Sequence, residues 1–134
     1  MQNKNGFTLI EVMVSLLLSL LIFLAVMQVA LMGMNYNMTN ALRDEAVNVA
    51  EQQMNQVRNQ VSSVAGFTAL GNPPLAPFTI SRNFRNVSNF NYTVNQVVAV
   101  LNANNKQVTI TVTWPWKGQN TTHIVNTVLR MPGT

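Results

Sequence analysis

Gly6-Phe7-Thr8-Leu9-Ile10-Glu11-Val12 opens an apolar run that continues to Met34, and Glu11 is the only charged residue in it. The next charge along the chain is Arg43. About 25 residues of helix span roughly 37 Å, enough to cross a bilayer with some tilt. Residues 1–6, ahead of the run, are polar, with one base, Lys4, and no acid. The run is longer than the apolar core of a secretory signal, and no small-x-small cleavage site closes it. A membrane-anchoring helix fits better, and Lys4 with the terminal amine favours an amino terminus on the inner side.

Glu11 stands out against this background. A carboxylate in the first turns of a membrane helix costs on the order of 2–3 kcal/mol. No base lies within the run to offset it. Two solutions are open from position alone. Glu11 snorkels to the interface, or it pairs with a positive charge from outside the segment, such as the terminal amine of another subunit.

The segment Gly6–Val12 resembles the processing signal of type IV prepilins and the related pseudopilins. The shared features are a short basic leader, Gly6 before the cut, Phe7 after it, Glu11 four residues further on, and a long apolar helix. The resemblance implies cleavage between Gly6 and Phe7 by a membrane prepilin peptidase, and N-methylation of the new Phe7 amine. It also implies that Glu11 pairs with the Phe7 amine of a neighbouring subunit, which would supply the missing partner.

From Tyr36 the pattern becomes amphipathic. Leu42, Ala46, Val49, Ala50, Met54, Val57, Val61 and Val64 recur every three or four residues, the spacing of one helix face against a partner surface. Arg43, Asp44, Glu51, Gln52, Gln56 and Asn59 fill the other positions. No proline precedes Pro73, so one helix from about Phe7 to Val64 is expected. Gly66, Gly71, Asn72, Pro73, Pro74 and Pro77 then mark a loop.

The remainder predicts three or four strands. Phe78–Phe84 is the weakest, and Tyr92–Leu101 is apolar around Val97–Val100. The run Asn102–Lys106 supplies a hairpin turn, because Asn tolerates positive φ. In Gln107–Trp114, Val108, Ile110, Val112 and Trp114 alternate with Thr109, Thr111 and Thr113, the signature of a half-buried strand. Pro115 is expected to end it, Lys117–Asn120 to turn, and Thr122–Arg130 to return. An antiparallel meander needs a covering layer, which the Leu42–Val64 stripe can provide. The expected fold is α+β and pilin-like: a long helix with a protruding apolar half, and an amphipathic half packed on a three- to four-stranded antiparallel sheet. The expected divisions are a leader, 1–6; a membrane or filament-core half-helix, 7–34; an amphipathic half-helix, 35–64; a loop, 65–77; and the sheet, 78–134.

Composition narrows the chemistry. Apolar residues make up 48% and charged residues 9% of the 134, against a usual charged share of about a quarter. Cysteine is absent, which excludes a disulfide framework, a thiolate metal site and a cysteine nucleophile. All four acids, Glu11, Asp44, Glu45 and Glu51, precede residue 52, so residues 52–134 hold six bases and no carboxylate. That argues against calcium and against paired-carboxylate hydrolysis in the sheet. His123, the sole histidine, lies beside Ile124 and Val125 and reads as a strand-face residue rather than a catalytic base. No catalytic residue, metal site or cofactor is implied, and the chain reads as an enzyme's substrate rather than an enzyme.

The lack of a disulfide, of an acidic calcium loop and of a proline in the apolar helix departs from major pilins and major pseudopilins. A minor type IV pilin, close to the pilus-modification group, is therefore expected, either incorporated into a filament or priming its assembly. The alternative is a minor pseudopilin of type II secretion. Expected partners are major and minor pilin subunits, prepilin peptidase, the inner-membrane assembly platform and membrane lipid. The expected location is the bacterial inner membrane, single-pass with the C-terminal domain in the periplasm, and then a pilus or pseudopilus. Trp116, with Arg82, Arg85 and Lys117, forms a candidate binding surface. The six bases raise DNA as a ligand, the less favoured reading because they are scattered along the chain.

Overall fold

The computed structural model describes residues 8–84 and 87–133, with Val87 by its backbone alone. Gly6, Phe7 and Arg85 lie outside the described residues. The chain divides into two units, residues 1–40 and 41–134. Helix α1, Leu9–Gln60, contributes to both.

In the first unit the helix is apolar on every side. Leu9 is 81% exposed and Phe23 73%, and no described residue in this unit from Thr8 to Asn37 is even half-buried. A helix apolar all round needs an apolar surrounding. The segment is long and apolar enough to cross a membrane.

In the second unit α1 becomes a one-faced helix. Leu42, Ala46, Val49, Ala50, Gln53, Met54 and Val57 are buried. Ala46 and Ala50 are fully buried within this stripe, between the larger Leu42, Val49, Met54 and Val57. Gln53 completes a stripe that the sequence reading left without it. Val64 departs from the expectation: it is exposed, because α1 stops at Gln60 and Val64 opens a short helix, α2, Val64–Ala69. The Ser63 hydroxyl caps α2 by accepting from the Gly66 amide at 3.1 Å. A Cβ at Gly66 would overlap the Gln60 carbonyl oxygen, so the tight passage from α1 to α2 requires glycine. Part of the expected loop is therefore helical, and it buries Phe67 and Leu70.

Four strands follow: β1 Phe78–Phe84, β2 Val87–Asn102, β3 Asn105–Trp116 and β4 Gln119–Arg130. They form one antiparallel sheet in chain order. Val108, Ile110, Val112 and Trp114 of β3 all turn inward with Tyr92 and Val94 of β2, as the alternation predicts. At the β2–β3 turn the Asn102 side-chain oxygen accepts from the Asn104 amide at 3.0 Å. At the β3–β4 turn Lys117 and Gly118 both have positive φ, 50° and 78°, as a two-residue turn of the primed type requires. Pro115 does not end β3, which runs on to Trp116. Pairing with β2 begins only at Thr93↔Thr113, so at Pro115 the sheet requires no N–H on that side.

Tyr92 ties the two layers together. Its ring is fully buried, 5.2 Å from Phe90 and 6.0 Å from Trp114. Its hydroxyl donates to the Leu42 carbonyl of α1 at 3.1 Å. Burial, reinforced by the Glu45 carboxylate and opposed by Arg82, pushes the phenol from 10.0 up to about 12. The unfolded chain loses this proton near pH 10, whereas the folded chain holds it to about 12. The contribution is thus complete below pH 10 and is lost as pH rises through 12. Alkaline unfolding of wild type should show this decline, and Tyr92→Phe should lack it. An unchanged alkaline profile in Tyr92→Phe would reject the assignment.

Candidate functional site

The helix start in the first unit is built from Thr8, Glu11 and Ser15. Thr8 is the last residue before α1, and its carbonyl accepts from the amides of Glu11 and Val12 at 3.1 and 3.2 Å. Its hydroxyl oxygen also accepts from the Glu11 amide, at 3.4 Å. Thr8-Leu9-Ile10-Glu11 is thus one half of a capping box, with the threonine at the N-cap and the glutamate three residues on. The sequence carries this signal as a T-x-x-E before an apolar run, a feature not among those expected of the helix start. Ser15 donates to the Glu11 carbonyl at 2.7 Å. These bonds concern the Glu11 backbone. Its carboxylate has no hydrogen bond or ion pair among the described residues and is exposed in the first turn of α1. The partial positive charge of the helix start favours an acid here by about 0.3–1 kcal/mol. That falls short of the estimated insertion cost, so Glu11 still lacks a full counterweight within the chain.

The candidate binding residues of the second unit stand differently. Arg82 of β1 pairs in register with Phe90. Trp116 lies three residues past Thr113, and Phe90 three before its partner Thr93, so Arg82, Trp116 and Lys117 share one end of the sheet. They do not form one free surface. The Arg82 Nη2 donates to the Gln52 side-chain oxygen at 2.6 Å, and its Nε sits 3.1 Å from a Glu45 carboxylate oxygen. The Nε contact is ionic rather than an aligned hydrogen bond. With both side chains about a quarter to a third exposed, it stabilises by at most about 1 kcal/mol. Lys117 lies over the Trp116 ring, 5.9 Å from its centroid.

A basic residue that the sequence did not single out has a more definite role. The Lys106 ammonium donates to the carbonyls of Phe67, Thr68 and Leu70 at 2.7, 3.2 and 2.8 Å, and lies 5.0 Å from the centre of the Phe67 ring. It satisfies the carbonyls left open at the end of α2 and fastens that helix to β3. His123 is half-buried on β4 opposite Val112. Among the described residues no group of three or more histidines, cysteines or acids could hold a metal ion.

The fold and this helix start together define a class of protein: an apolar N-terminal helix leading into a helix-backed, four-stranded antiparallel sheet, an α+β pilin-like arrangement. Residues 1–27 match the family model described as the prokaryotic N-terminal methylation motif, the signal of type IV pilins and pseudopilins. No curated protein and no solved structure matches the chain. The motif contains Gly6, Phe7 and Glu11 and supports a pilin or pseudopilin that is a substrate of prepilin peptidase.

Proposed function

We infer that the chain is a minor type IV pilin. Prepilin peptidase cuts it between Gly6 and Phe7, the Phe7 amine is methylated, and the subunit enters a filament or prims its assembly from the inner membrane. Its second unit lies in the periplasm before assembly. The observation that carries this reading is the Glu11 carboxylate, unpartnered among the described residues at the start of the exposed, apolar part of α1. The Phe7 amine of a neighbouring subunit would neutralise it within an apolar filament core. A minor pseudopilin of type II secretion would use the same signal and the same pairing. DNA capture is less well supported, because Arg82 is held by Glu45 and Gln52, and Lys106 by three carbonyls.

The N-terminal peptide mass, measured in sheared surface filaments and in membranes, tests this. A peptide beginning at methylated Phe7 in the filaments is the expected result. Processed chain found only in membranes would assign it to a pseudopilus or a priming complex. Peptides retaining residues 1–6 in a peptidase-competent cell would reject both.

A further inference from the structure

The two edges of the sheet differ. β1 is short, carries Arg82, and has a register irregularity between Arg82 and Phe84. Those are devices by which sheets blunt an edge. Along β4 they are absent up to Leu129, and the one charged residue, Arg130, stands at its last position. The register of β4 with β3 is unbroken from Arg130 to Gln119. From Gln119 to Leu129 it contains no proline and no Lys, Arg, Asp or Glu.

The direction of its backbone groups follows from two observations. The Met131 amide donates to the Asn104 carbonyl at 2.8 Å, and Trp116↔Gln119 closes the two-residue turn at the other end. Odd-numbered residues of β4 therefore bond to β3. Asn120, Thr122, Ile124, Asn126 and Val128 point their N–H and C=O groups outward from the sheet. No backbone bond among the described residues takes them up. Ile124 and Val128 are 56% and 57% exposed.

A cleft of about 380 Å3 lies beside the middle of this edge, lined by Val125 of β4 and by Glu51, Met54, Asn55 and Arg58 of α1. The buried Met54 forms an apolar part of its wall. Glu51, Asn55 and Arg58 are exposed, lie along one side of α1, and form no hydrogen bond or ion pair among the described residues. An open backbone edge beside a pocket for alternate side chains is the arrangement by which sheets take up an added strand. The main chain supplies affinity, and the pocket supplies specificity.

We propose that β4 accepts an extended strand from a neighbouring subunit, and that the residue opposite Val125 is polar and is held in the cleft by Glu51 and Arg58. The carboxylate takes a donor from that side chain, the guanidinium offers one to an acceptor, and Ile124 and Val128 meet apolar side chains on the outer face. The proposal rests on the reading of the chain as a subunit of an assembly.

Asn126→Pro is the discriminating variant. It removes an outward N–H and no β3–β4 bond, a position where an edge strand tolerates proline. The melting temperature of the full chain in detergent should stay near wild type, while incorporation into assemblies falls at least about tenfold, the equivalent of about 1.4 kcal/mol. Hydrogen exchange of the peptide covering β4 should slow by at least about tenfold in wild-type assemblies relative to membrane-held chain, as paired amides do. Glu51→Gln with Arg58→Gln should reduce incorporation without changing the melting temperature. Wild-type incorporation of Asn126→Pro, or β4 amides that exchange equally fast in assembled and membrane-held chain, overturns the strand pairing. Full incorporation of the double variant overturns the role of the cleft. The N-terminal peptide mass from the same samples separates the two readings. Processed, assembled chain with unprotected β4 sinks this proposal alone, whereas uncut chain that never assembles sinks both.

Discussion

Glu11→Ala should be cut and methylated at the Gly6–Phe7 bond like wild type, yet enter filaments at least about a hundredfold less. Breaking a buried ion pair by removing one partner costs about 3–5 kcal/mol, because the other charge is left uncompensated. Here the stranded charge would be the neighbour's Phe7 amine inside an apolar core. The substitution acts on the membrane-held chain too, and in the opposite sense. It removes the insertion cost of a carboxylate, on the order of 2–3 kcal/mol, so the membrane form gains while the assembled form loses. Both effects oppose extraction from the membrane. The Glu11 amide bonds to Thr8 survive in alanine, so loss of the helix start does not explain the defect. Quantitative mass spectrometry of the processed N-terminal peptide in filament and membrane fractions reads it directly. Wild-type filament levels of Glu11→Ala would show that the carboxylate serves only the local helix start.

What the sequence revealed, and what it concealed, follows from the range of the interactions involved. The helix was legible because a run from Phe7 with no proline before Pro73 admits little else, and β3 because Val108, Ile110, Val112 and Trp114 alternate with threonines. Those are local patterns with one physical solution each. Pro115 misled because its effect depends on whether a neighbouring strand needs its N–H, and β2 does not begin pairing with β3 until Thr93↔Thr113. Val64 misled because the helical spacing continues across a break that Ser63 and Gly66 impose. At the candidate site, the spacing of Gly6, Phe7 and Glu11 was legible, and so was the absence of a local counter-charge. The pairings of Arg82 with Glu45 and Gln52 were not. They join residues thirty or more positions apart, and only the packing of β1 against α1 brings them together.

Lys106→Met should lower the melting temperature of the second unit by roughly 10–20 °C, the largest stability loss expected of any lysine here. Hydrogen bonds to a charged donor contribute about 1.5–3 kcal/mol, and 1 kcal/mol moves a domain of this size by about 4–8 °C. Methionine keeps most of the apolar stem against Phe67 but removes the ammonium that three carbonyls share. Those carbonyls of Phe67, Thr68 and Leu70 then lose their donor at a half-buried site, so α2 should detach from β3 and expose Phe67 and Leu70. Lys117→Met is the matched control. That lysine also sits over an aromatic ring, at 5.9 Å, but it is exposed at a turn and bonds no carbonyl among the described residues, so its loss should stay within about 0.5 kcal/mol. Trp114 and Trp116 both lie in the second unit, so tryptophan fluorescence of the full chain in detergent follows this transition. Equal melting temperatures for the two variants would show that the ring contact, and not the three carbonyls, is what Lys106 contributes.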